Sequence, residues 1–344
     1  MQLIVLGLNH KTAPVEIRER FNFSQDRTVR VLRRLRNNDN LNEAVLLSTC
    51  NRTELYMVLE DPAAGLHFIR TLLRHLAGEQ YKPDYFYNLT GINCVRHLFK
   101  VASSLDSLII GEGQILSQIK NAYHLSRSCG MTDTLFNTLF NRAIAVGKRV
   151  RTETKIAYSS VSVSSAAVDL AIDVVGDLTK ANILVLGAGR MSELTARHLI
   201  DKGAKTIFVS NRNLSHAQEL AEKFNGTAIP YNEFMHQAIT SDIIITSTGA
   251  PHYVITEQGV RDIIPKRSGK PLILVDIAVP RDVDPLVGDI EGVTLYNIDD
   301  LEGVVDMNKN FRSSEAKVAE AIIDEEIKAL KERLRYLTMR PVMV

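Results

Sequence analysis

The chain has 344 residues, of which 45% are hydrophobic and 24% charged, and its formal net charge is +1. This composition is typical of globular proteins and excludes disordered and fibrous classes. The sequence contains no run of eighteen apolar residues and no signal-peptide pattern at its N-terminus, so we expect a cytoplasmic protein. Cys50, Cys94 and Cys129 are odd in number and widely spaced, which indicates reduced thiols rather than a disulfide framework or a zinc site.

The net charge is near zero, but the first part of the chain is basic. Residues 1–155 contain 21 Lys and Arg against 14 Asp and Glu, whereas residues 156–344 contain 20 against 26. The stretch RVLRRLR at 30–36 is able to meet the phosphates of a polyanion, because Lys and Arg neutralise phosphate charge. A solvated helix face is the simpler interpretation of the same residues, and the charge count favours it.

The opening of the chain predicts a small α+β unit that continues into a helical part. LIVLGLNH is rich in β-formers, and two helices follow it, one started by a proline in PVEIRERF and one capped by Ser24. EAVLLST and TELYMVL predict two strands around Cys50, and GLHFIRTLLRHLAGE predicts an amphipathic helix. From Gly91 to about Thr154 the pattern is helical, with Gly130 as a C-terminal cap.

The second part of the chain alternates strands and helices. NILVLGAG, TIFVSNR, DIIITSTG and LILVDIAVP are continuous apolar runs, as expected for parallel strands that are buried on both faces. We therefore predict an α/β multidomain protein with an α+β domain over 1–155, a Rossmann-type domain over 156–308 and a long C-terminal helix over 309–344.

The long helix has apolar residues spaced alternately four and three positions apart. This spacing predicts a coiled-coil-like seam that needs a partner. The seam residues are Ile323, Ile327, Leu330, Leu334 and Leu337.

A glycine turn in the second part predicts dinucleotide binding. Gly187 and Gly189 lie directly after a strand and before a helix, where glycine lets the backbone approach a pyrophosphate at the positive helix end. Ser192 takes the third small position of the fingerprint. A purely structural glycine turn is the alternative, because this motif alone is weakly specific.

The end of the next strand favours NADP over NAD. Ser210, Asn211 and Arg212 stand where an NAD enzyme usually has an acidic residue, and a guanidinium suits the 2′-phosphate. Arg212 capping a strand end is the alternative. Thr248 and Gly249 end another strand, and their position predicts that they face the nicotinamide half of the cofactor.

The segment LLSTCNRTELY at 46–56 places a cysteine at the polar break between two strands. In a chain that also binds a nicotinamide cofactor, such a thiol suggests covalent catalysis, in which a thioester is reduced to an aldehyde. We expect the Cys50 thiol to be partly ionised, with Arg52 either lowering its pKa or holding a substrate carboxylate. A structural thiol is the alternative.

Two further features in the helical part carry polar groups. Ser107, Glu112, Gln114 and Gln118 gather near a helix start and are able to hold an ammonium group, although a plain helix N-terminus explains them as well. His97 lies between apolar neighbours on a helix, and the sequence favours a surface histidine over an acid or base.

Seven segments, taken in order, resemble the glutamyl-tRNA reductase family, which starts five-carbon tetrapyrrole synthesis. They are GLNHKTAPVEIRER, LLSTCNRTELY, VASSLDSLIIGEGQILSQIK, LGAGRMSELTARHL, SNR, STGAP and DIAVPRDVDP. The resemblance implies NADPH-dependent reduction of glutamyl-tRNA to glutamate-1-semialdehyde, with release of tRNA, through a cysteinyl thioester and without a metal.

The resemblance also assigns residues. It places Cys50 as the nucleophile and His97 as a histidine important for activity. The implied substrate-binding residues are Thr49, Cys50, Asn51, Arg52, Ser107, Glu112, Gly113, Gln114 and Gln118. The expected cofactor-binding residues are Gly187, Ala188, Gly189, Arg190, Met191, Ser192, Ser210, Asn211, Arg212, Thr248 and Gly249.

The implied partners are glutamyl-tRNA and, transiently, an aminomutase that takes the labile product. The family usually forms a homodimer through a helical domain after the long helix; this sequence stops soon after Pro341, so we expect that domain to be truncated or absent. Two other functions fit parts of the sequence. One is a shikimate-dehydrogenase-like oxidoreductase acting on a free small molecule, and the other is a non-catalytic NADP(H)-sensing module that binds RNA.

Overall fold

The computed structural model describes the backbone of residues 1–77, 82–108, 110–154, 156, 163–301 and 309–339. Side chains are described for the same residues except 76, 77, 309–314 and 333–339. The chain divides into two compact units, one formed by Met1–Ser160 with Asn308–Val344 and the other by Val161–Met307. The α/β class predicted from the sequence is confirmed.

The first unit is built on an antiparallel sheet. Its elements before the C-terminal helix are β1 (Gln2–Asn9), α1 (Val15–Arg18), α2 (Gln25–Leu35), β2 (Leu41–Ser48), β3 (Arg52–Leu59), α3 (Pro62–Ala77), β4 (Tyr87–Thr90), α4 (Gly91–Ala102), α5 (Gln114–Ser128) and α6 (Thr134–Glu153). The strand order is β2-β3-β1-β4, with every pairing antiparallel. The sequence analysis missed β4, since its four residues YNLT show no buried apolar alternation.

Both faces of this sheet are covered, because successive strand residues point to opposite sides. Ile4, Leu6 and Leu8 pack in one core with Leu32 and Leu35 of α2. The other face packs against α4, α5 and α6, and its strand residues are Val5, Val45, Leu47, Tyr56 and Val58. The predicted cap of α2 is confirmed, because Ser24 Oγ accepts a hydrogen bond from the Arg27 N–H at 3.4 Å.

The second unit is a parallel sheet with helices. It comprises α7 (Val163–Val175), β5 (Asn182–Leu186), α8 (Arg190–Asp201), β6 (Thr206–Ser210), α9 (Leu214–Lys223), β7 (Thr227–Ile229), α10 (Phe234–Gln237), β8 (Ile243–Thr246), α11 (Glu257–Ile263), β9 (Leu272–Asp276) and β10 (Val293–Asn297). The strand order β10-β9-β8-β5-β6-β7 is the dinucleotide-binding order, which reverses between β5 and β8. Ligands bind such sheets at the carboxyl ends of the strands beside this reversal.

The last helix, α12 (Lys309–Met339), packs within the first unit. Ile323, Ile327 and Leu330 are buried there in one core with residues of α4 and α6. The predicted seam is therefore real, but its need for a separate partner was wrong for these three residues, because the chain's own helices cover them. The side chains of Leu334 and Leu337 lie outside the described residues. Among the described residues, no helix combines the length and the apolar character that crossing a membrane requires.

Candidate active site

Cys50 lies in a tight turn that joins β2 to β3. Thr49 Oγ1 accepts hydrogen bonds from the N–H groups of Asn51 and Arg52, both at 3.2 Å, and the Thr49 N–H donates to the Arg52 carbonyl at 2.9 Å. Arg18 Nη1 donates to the Cys50 carbonyl at 3.1 Å and to Asn51 Oδ1 at 3.3 Å. The Thr49 and Asn51 side chains thus hold the turn, and Arg18 holds the half-buried residue Cys50 through its carbonyl.

The charged residues around Cys50 have opposite effects on the pKa of its thiol. The pKa of the thiol is raised to about 12, mainly by burial and also by Glu112, whereas Arg18 and Arg52 lower it. The expected partly ionised thiol was wrong for the free protein, because desolvation of the thiolate outweighs the two guanidinium groups. The same effect places Glu112 within electrostatic range of Cys50. Substrate binding by Glu112 stays a prediction.

Arg52 is a buried residue whose guanidinium charge is already paired with acidic side chains. Its Nη1 lies 2.5 Å from Glu54 Oε1 and 3.4 Å from Asp106 Oδ2, and its Nη2 donates to the Asp106 carbonyl. Burial lowers the pKa of Arg52, but Glu54, Tyr87 and Asp106 together outweigh burial and raise it well above its usual value. The guanidinium therefore lies in a structural ion pair. Substrate binding by Arg52 stays a prediction.

Glu54 is the centre of a buried polar cluster. Oε1 accepts from Tyr87 Oη at 2.5 Å and lies 2.9 Å from His97 Nε2, and Oε2 accepts from Tyr56 Oη at 2.5 Å. Burial favours protonation of Glu54, but Arg52 and His97 outweigh it and hold its pKa well below the usual range. An ionised carboxylate only accepts, so His97 Nε2 carries the proton of this hydrogen bond.

His97 belongs to this cluster, with a side chain that is 10% exposed. Its Nδ1 lies 3.7 Å from Asp106 Oδ2, and its ring packs edge-on against Tyr87. The surface position favoured by the sequence was therefore wrong. The sequence held a signal for the cluster that we did not use, since Glu54 is a charged residue directly before the apolar run LYMVL of β3. Gly7 leaves the room for it, because a Cβ there would lie 2.8 Å from Glu54 Cγ.

Two more residues of this region escaped the sequence analysis. His10 donates its main-chain N–H to the Asn51 carbonyl at 3.1 Å, and burial, with Arg52 next, lowers its pKa to about 4. Asp106 binds Lys11 Nζ at 2.5 Å on the outer side of the cluster. A neutral His10 and the paired Asp106 thus support the turn that holds Cys50.

The polar residues before and in α5 occupy different places. Ser107 accepts a hydrogen bond from Ser104 Oγ at 3.3 Å, while the Glu112 and Gly113 carbonyls accept from Arg151 at 2.6 and 3.2 Å. Burial raises the pKa of Glu112, and Arg151 opposes this. Gln114 starts α5, and Gln118, one turn later, faces a groove that Ser48 also lines.

The glycine turn of the second unit leaves space above a helix N-terminus. Gly187 has φ +108°, and a Cβ there would lie 2.7 Å from the Ser247 carbonyl. Gly189 begins α8, and a Cβ there would meet nothing within 4 Å. Ser192 is buried and its Oγ lies 2.8 Å from Ser247 Oγ, which ties the turn to the end of β8. Ala188, Arg190 and Met191 complete this turn and the start of α8.

The end of β6 meets the same turn. The Ser210 carbonyl accepts the Gly187 N–H at 2.8 Å, and Asn211 follows at the strand end. Arg212 is exposed, with Nη2 3.1 Å from His252 Nε2 and its guanidinium 5.9 Å from the Tyr231 ring centre. No carboxylate among the described side chains lies within 4.0 Å of this guanidinium.

Two buried aspartates hold the end of β8. The Thr248 N–H donates to Asp282 Oδ2 at 2.7 Å, and its hydroxyl donates to Asp282 Oδ1. Asp276 accepts the Asp282 N–H at 2.8 Å and the Thr246 hydroxyl at 2.9 Å. Burial and Asp282 raise the pKa of Asp276 to about 7. Both aspartates come from the segment DIAVPRDVDP, to which the sequence analysis gave no separate role. Gly249 follows Thr248, and a Cβ there would meet nothing within 4 Å.

Comparison with known proteins connects both units to one family. The family profile "Glutamyl-tRNAGlu reductase, N-terminal domain" matches residues 6–154, and "Shikimate / quinate 5-dehydrogenase" matches residues 169–304. The glutamyl-tRNA reductase of Trichlorobacter lovleyi is 45% identical over 347 residues, which cover 100% of this chain and 80% of the relative. The chain belongs to the glutamyl-tRNA reductase family. The resemblance found in the sequence is thereby confirmed.

A second relative and a solved structure from the same family also match this chain. The glutamyl-tRNA reductase of Geobacter sulfurreducens is 44% identical over 100% of this chain and 80% of its own length. The solved structure of glutamyl-tRNA reductase from Methanopyrus kandleri covers 98% of this chain and 82% of its own, at 36% identity and a TM-score of 0.52.

Glutamyl-tRNA reductases use NADPH, and the second unit fits this cofactor. Gly189 leaves open space at the positive end of α8, where a pyrophosphate binds in such folds. Arg212 stands at the end of β6 without a carboxylate partner among the described side chains, which suits a 2′-phosphate. The individual cofactor-binding residues stay predictions.

Proposed function

We propose that this chain reduces the glutamyl group of glutamyl-tRNA to glutamate-1-semialdehyde with NADPH, through a thioester on Cys50, and releases tRNA in the first step of tetrapyrrole synthesis. The observation that carries the proposal is a thiol fixed at a hairpin turn in a unit that matches the reductase profile, in one chain with a dinucleotide-binding sheet. Family membership supplies the substrate.

The first half-reaction is acyl transfer to Cys50. The sulfur attacks the glutamyl ester carbonyl, a carbon–sulfur bond forms, and the bond to the ribose oxygen breaks. The thiol proton ends on the released ribose hydroxyl. Because burial raises the pKa of the free thiol to about 12, little thiolate is present before the substrate binds, so the proton is lost as the substrate binds or as the sulfur attacks.

Substrate binding favours this deprotonation if the glutamyl ammonium group pairs with Glu112. The negative charge of Glu112 raises the pKa of Cys50, so neutralising that charge removes a repulsion that the thiolate feels. Glu112 thereby serves both as the ammonium site that the sequence predicted and as a link between binding and reactivity.

The second half-reaction releases the product. NADPH supplies a hydride to the thioester carbonyl. The carbon–sulfur bond then breaks, the aldehyde leaves, and the Cys50 sulfur takes back a proton. His97 and Glu54 form a hydrogen bond near the Cys50 turn, and we assign them the positioning of Arg52 and of the turn.

The test uses glutamyl-tRNA and NADPH with the parent protein and with Cys50→Ser. The parent should form the semialdehyde and oxidise NADPH, and Cys50→Ser should form none. Cys94→Ser is the matched control, since Cys94 lies on α4, is buried in the core and is not part of the Cys50 turn, and it should keep activity. Undiminished activity of Cys50→Ser would rule out the thioester.

The shikimate-dehydrogenase profile gives the alternative of a free small-molecule substrate, but it matches only residues 169–304. It leaves the whole first unit without a role. Treating the substrate with RNase before reaction distinguishes the two proposals. Our proposal requires that this treatment slows semialdehyde formation, because the glutamyl fragment that remains lacks most of the tRNA, whereas reduction of a free acid needs no RNA and should be unaffected.

Three finer expectations stay proposals. An α-amino aldehyde is labile, so a transient contact with an aminomutase would protect it. The cytoplasmic location expected from the sequence is proposed on composition alone. The family's homodimer, which this short sequence did not itself predict, is proposed on the family resemblance alone. Gel filtration with light scattering tests the dimer, and co-sedimentation with the aminomutase tests the contact.

A further inference from the structure

The outer side of α2 carries a row of arginines. Thr28, Leu32 and Leu35 are the buried residues of this helix, so they define its inner side. The arginines point elsewhere on the helix and are exposed. These exposed residues are Arg30, Arg33, Arg34 and Arg36, which we call the α2 arginine face.

The charges of this face are not neutralised within the protein. Among the described side chains, no carboxylate lies within 4.0 Å of Arg30, Arg33 or Arg34. Three arginines of α4 and α6 in the same unit are paired by contrast. Arg96, Arg142 and Arg149 each contact an acidic residue of α12, at 2.5 to 2.9 Å. The α2 arginine face is thus a cluster of positive charges that lacks the acidic partners these three arginines have.

A groove lies beside this helix and the strand that leads to the Cys50 turn. It has a volume of about 510 Å³, lies between α2, α5 and the end of β2, and falls in the size range of small-ligand clefts. Ser48 lines the groove two residues before Cys50. Amide and hydroxyl groups that suit the edges of a nucleobase also line it, and they belong to Gln25, Thr28, Gln118 and Asn121.

We propose that the α2 arginine face binds phosphates of the tRNA acceptor end and that the groove receives the 3′-terminal nucleotide beside Cys50. This rests on the proposed function, because the glutamyl group is attached to that nucleotide. An eleven-residue helix is about 16 Å long, so it spans several phosphates of a duplex, which carries one charge per about 1.7 Å. Unpaired arginines and a polyanion are complementary in charge.

The phosphate part is tested with the triple variant Arg30→Gln, Arg33→Gln, Arg34→Gln. We expect at least tenfold weaker binding of tRNA, and a plot of log affinity against log salt that is shallower by about 2 to 3, since each phosphate contact contributes about 0.7 to 0.9. The control variant Arg70→Gln, Lys82→Gln, Lys148→Gln removes the same charge from exposed positions on the same unit. It should change tRNA affinity less than twofold. Equal loss in both variants, or no loss in the α2 variant, overturns the proposal.

The groove part is tested with Asn121→Trp, which places a large ring at an exposed lining position. The substrates are glutamyl-tRNA and its fragment 3′-glutamyl-adenosine, and the readout is the rate at which Cys50 gains a glutamyl group. Asn121→Trp should slow both substrates at least tenfold, whereas the α2 triple variant should slow only glutamyl-tRNA. Parental rates of Asn121→Trp with both substrates overturn the groove assignment.

The proposed function and the tRNA-binding role of the α2 arginine face are tested by different measurements. If the parent protein never gains a glutamyl group, the proposed function fails, while the tRNA binding curves still report on the α2 arginine face. If the parent gains the group and the α2 variant matches the control, the function stands and the surface assignment is wrong. Melting temperatures of all variants within about 2 °C of the parent exclude unfolding as the cause.

Discussion

At the scale of residues, two charged side chains have opposite effects on the pKa of the Cys50 thiol. Glu112 raises this pKa and Arg18 lowers it, while burial dominates both. The thiol is therefore protected from ionisation until a ligand changes its surroundings. This arrangement suits a nucleophile that must not react before the substrate binds.

The first prediction concerns the pH dependence of this thiol. Because its pKa is about 12, the rate of alkylation by iodoacetamide should rise about tenfold per pH unit between pH 7 and 10. Arg18→Met should slow alkylation at every pH in this range, and Glu112→Gln should speed it. Arg20→Met, at an exposed neighbouring position, is the control and should match the parent. Identical profiles for Arg18→Met and Arg20→Met would contradict the role of Arg18.

The second prediction concerns the buried ion pair. Glu54→Ala leaves the Arg52 charge without its main partner, and breaking a buried pair in this way costs about 3–5 kcal/mol in the free energy of unfolding. Urea unfolding of the whole chain measures this cost. Glu60→Ala, at the exposed end of the same sheet, is the control and should cost less than about 0.5 kcal/mol.

The contribution of Glu54 also has a predicted pH window. Its pKa in the folded protein lies below the ordinary value of 4.5, so its stabilising effect is complete above that value and declines as pH falls toward the folded pKa. The stability difference between parent and Glu54→Ala should thus narrow below about pH 4.5. A difference that stays constant down to pH 3 would contradict an ionised Glu54.

At the scale of elements, local patterns predicted which segments form strands and helices but not always what covers them. The apolar runs of β5, β6, β8 and β9 and the glycine turn were read correctly, because parallel strands and turns have strong local signatures. The surface on which α12 packs was not predicted, because periodicity identifies the apolar face of a helix but does not identify the surface that covers it. The Glu54 cluster was missed for a related reason, since its members come from β3, β4, α4 and the segment after α4.

The third prediction concerns the contact between Asp282 and Thr248. Asp282→Asn replaces an acceptor of two hydrogen bonds with an amide that also donates, so the segment after β8 should lose its fixed geometry. We expect about tenfold weaker NADPH binding, and unchanged glutamyl transfer to Cys50 when NADPH is absent. Asp289→Asn, at an exposed position of the same unit, is the control and should bind NADPH like the parent. Parental NADPH affinity in Asp282→Asn would show that this contact does not shape the cofactor site.

The fourth prediction concerns the packing of α12. Ile323 is fully buried against α4 and α6, so Ile323→Ala should cost about 2–5 kcal/mol through lost burial and a cavity. Val318 lies on the same helix but is 49% exposed, and Val318→Ala should cost less than about 1 kcal/mol. Equal small costs for both would mean that α12 does not pack on the first unit in solution.

At the scale of the whole molecule, the thiol and the dinucleotide turn lie in different units. The two half-reactions should therefore be separable by substitution. Variants near Cys50 should block acyl transfer, whereas variants at Gly187, Arg212 or Asp282 should leave acyl transfer intact and slow reduction. The sequence predicted this division because each site lies at a turn with its own local pattern.

The most direct test of the thioester follows the mass of the protein in two stages. The parent protein is mixed with glutamyl-tRNA without NADPH, and the peptide that contains Cys50 is examined by mass spectrometry; NADPH is then added. We predict that Cys50 first gains one glutamyl group and loses it on addition of NADPH as the semialdehyde appears, and that Cys50→Ser gains none. Semialdehyde formation by the parent without any glutamyl group on Cys50 at either stage would contradict the mechanism.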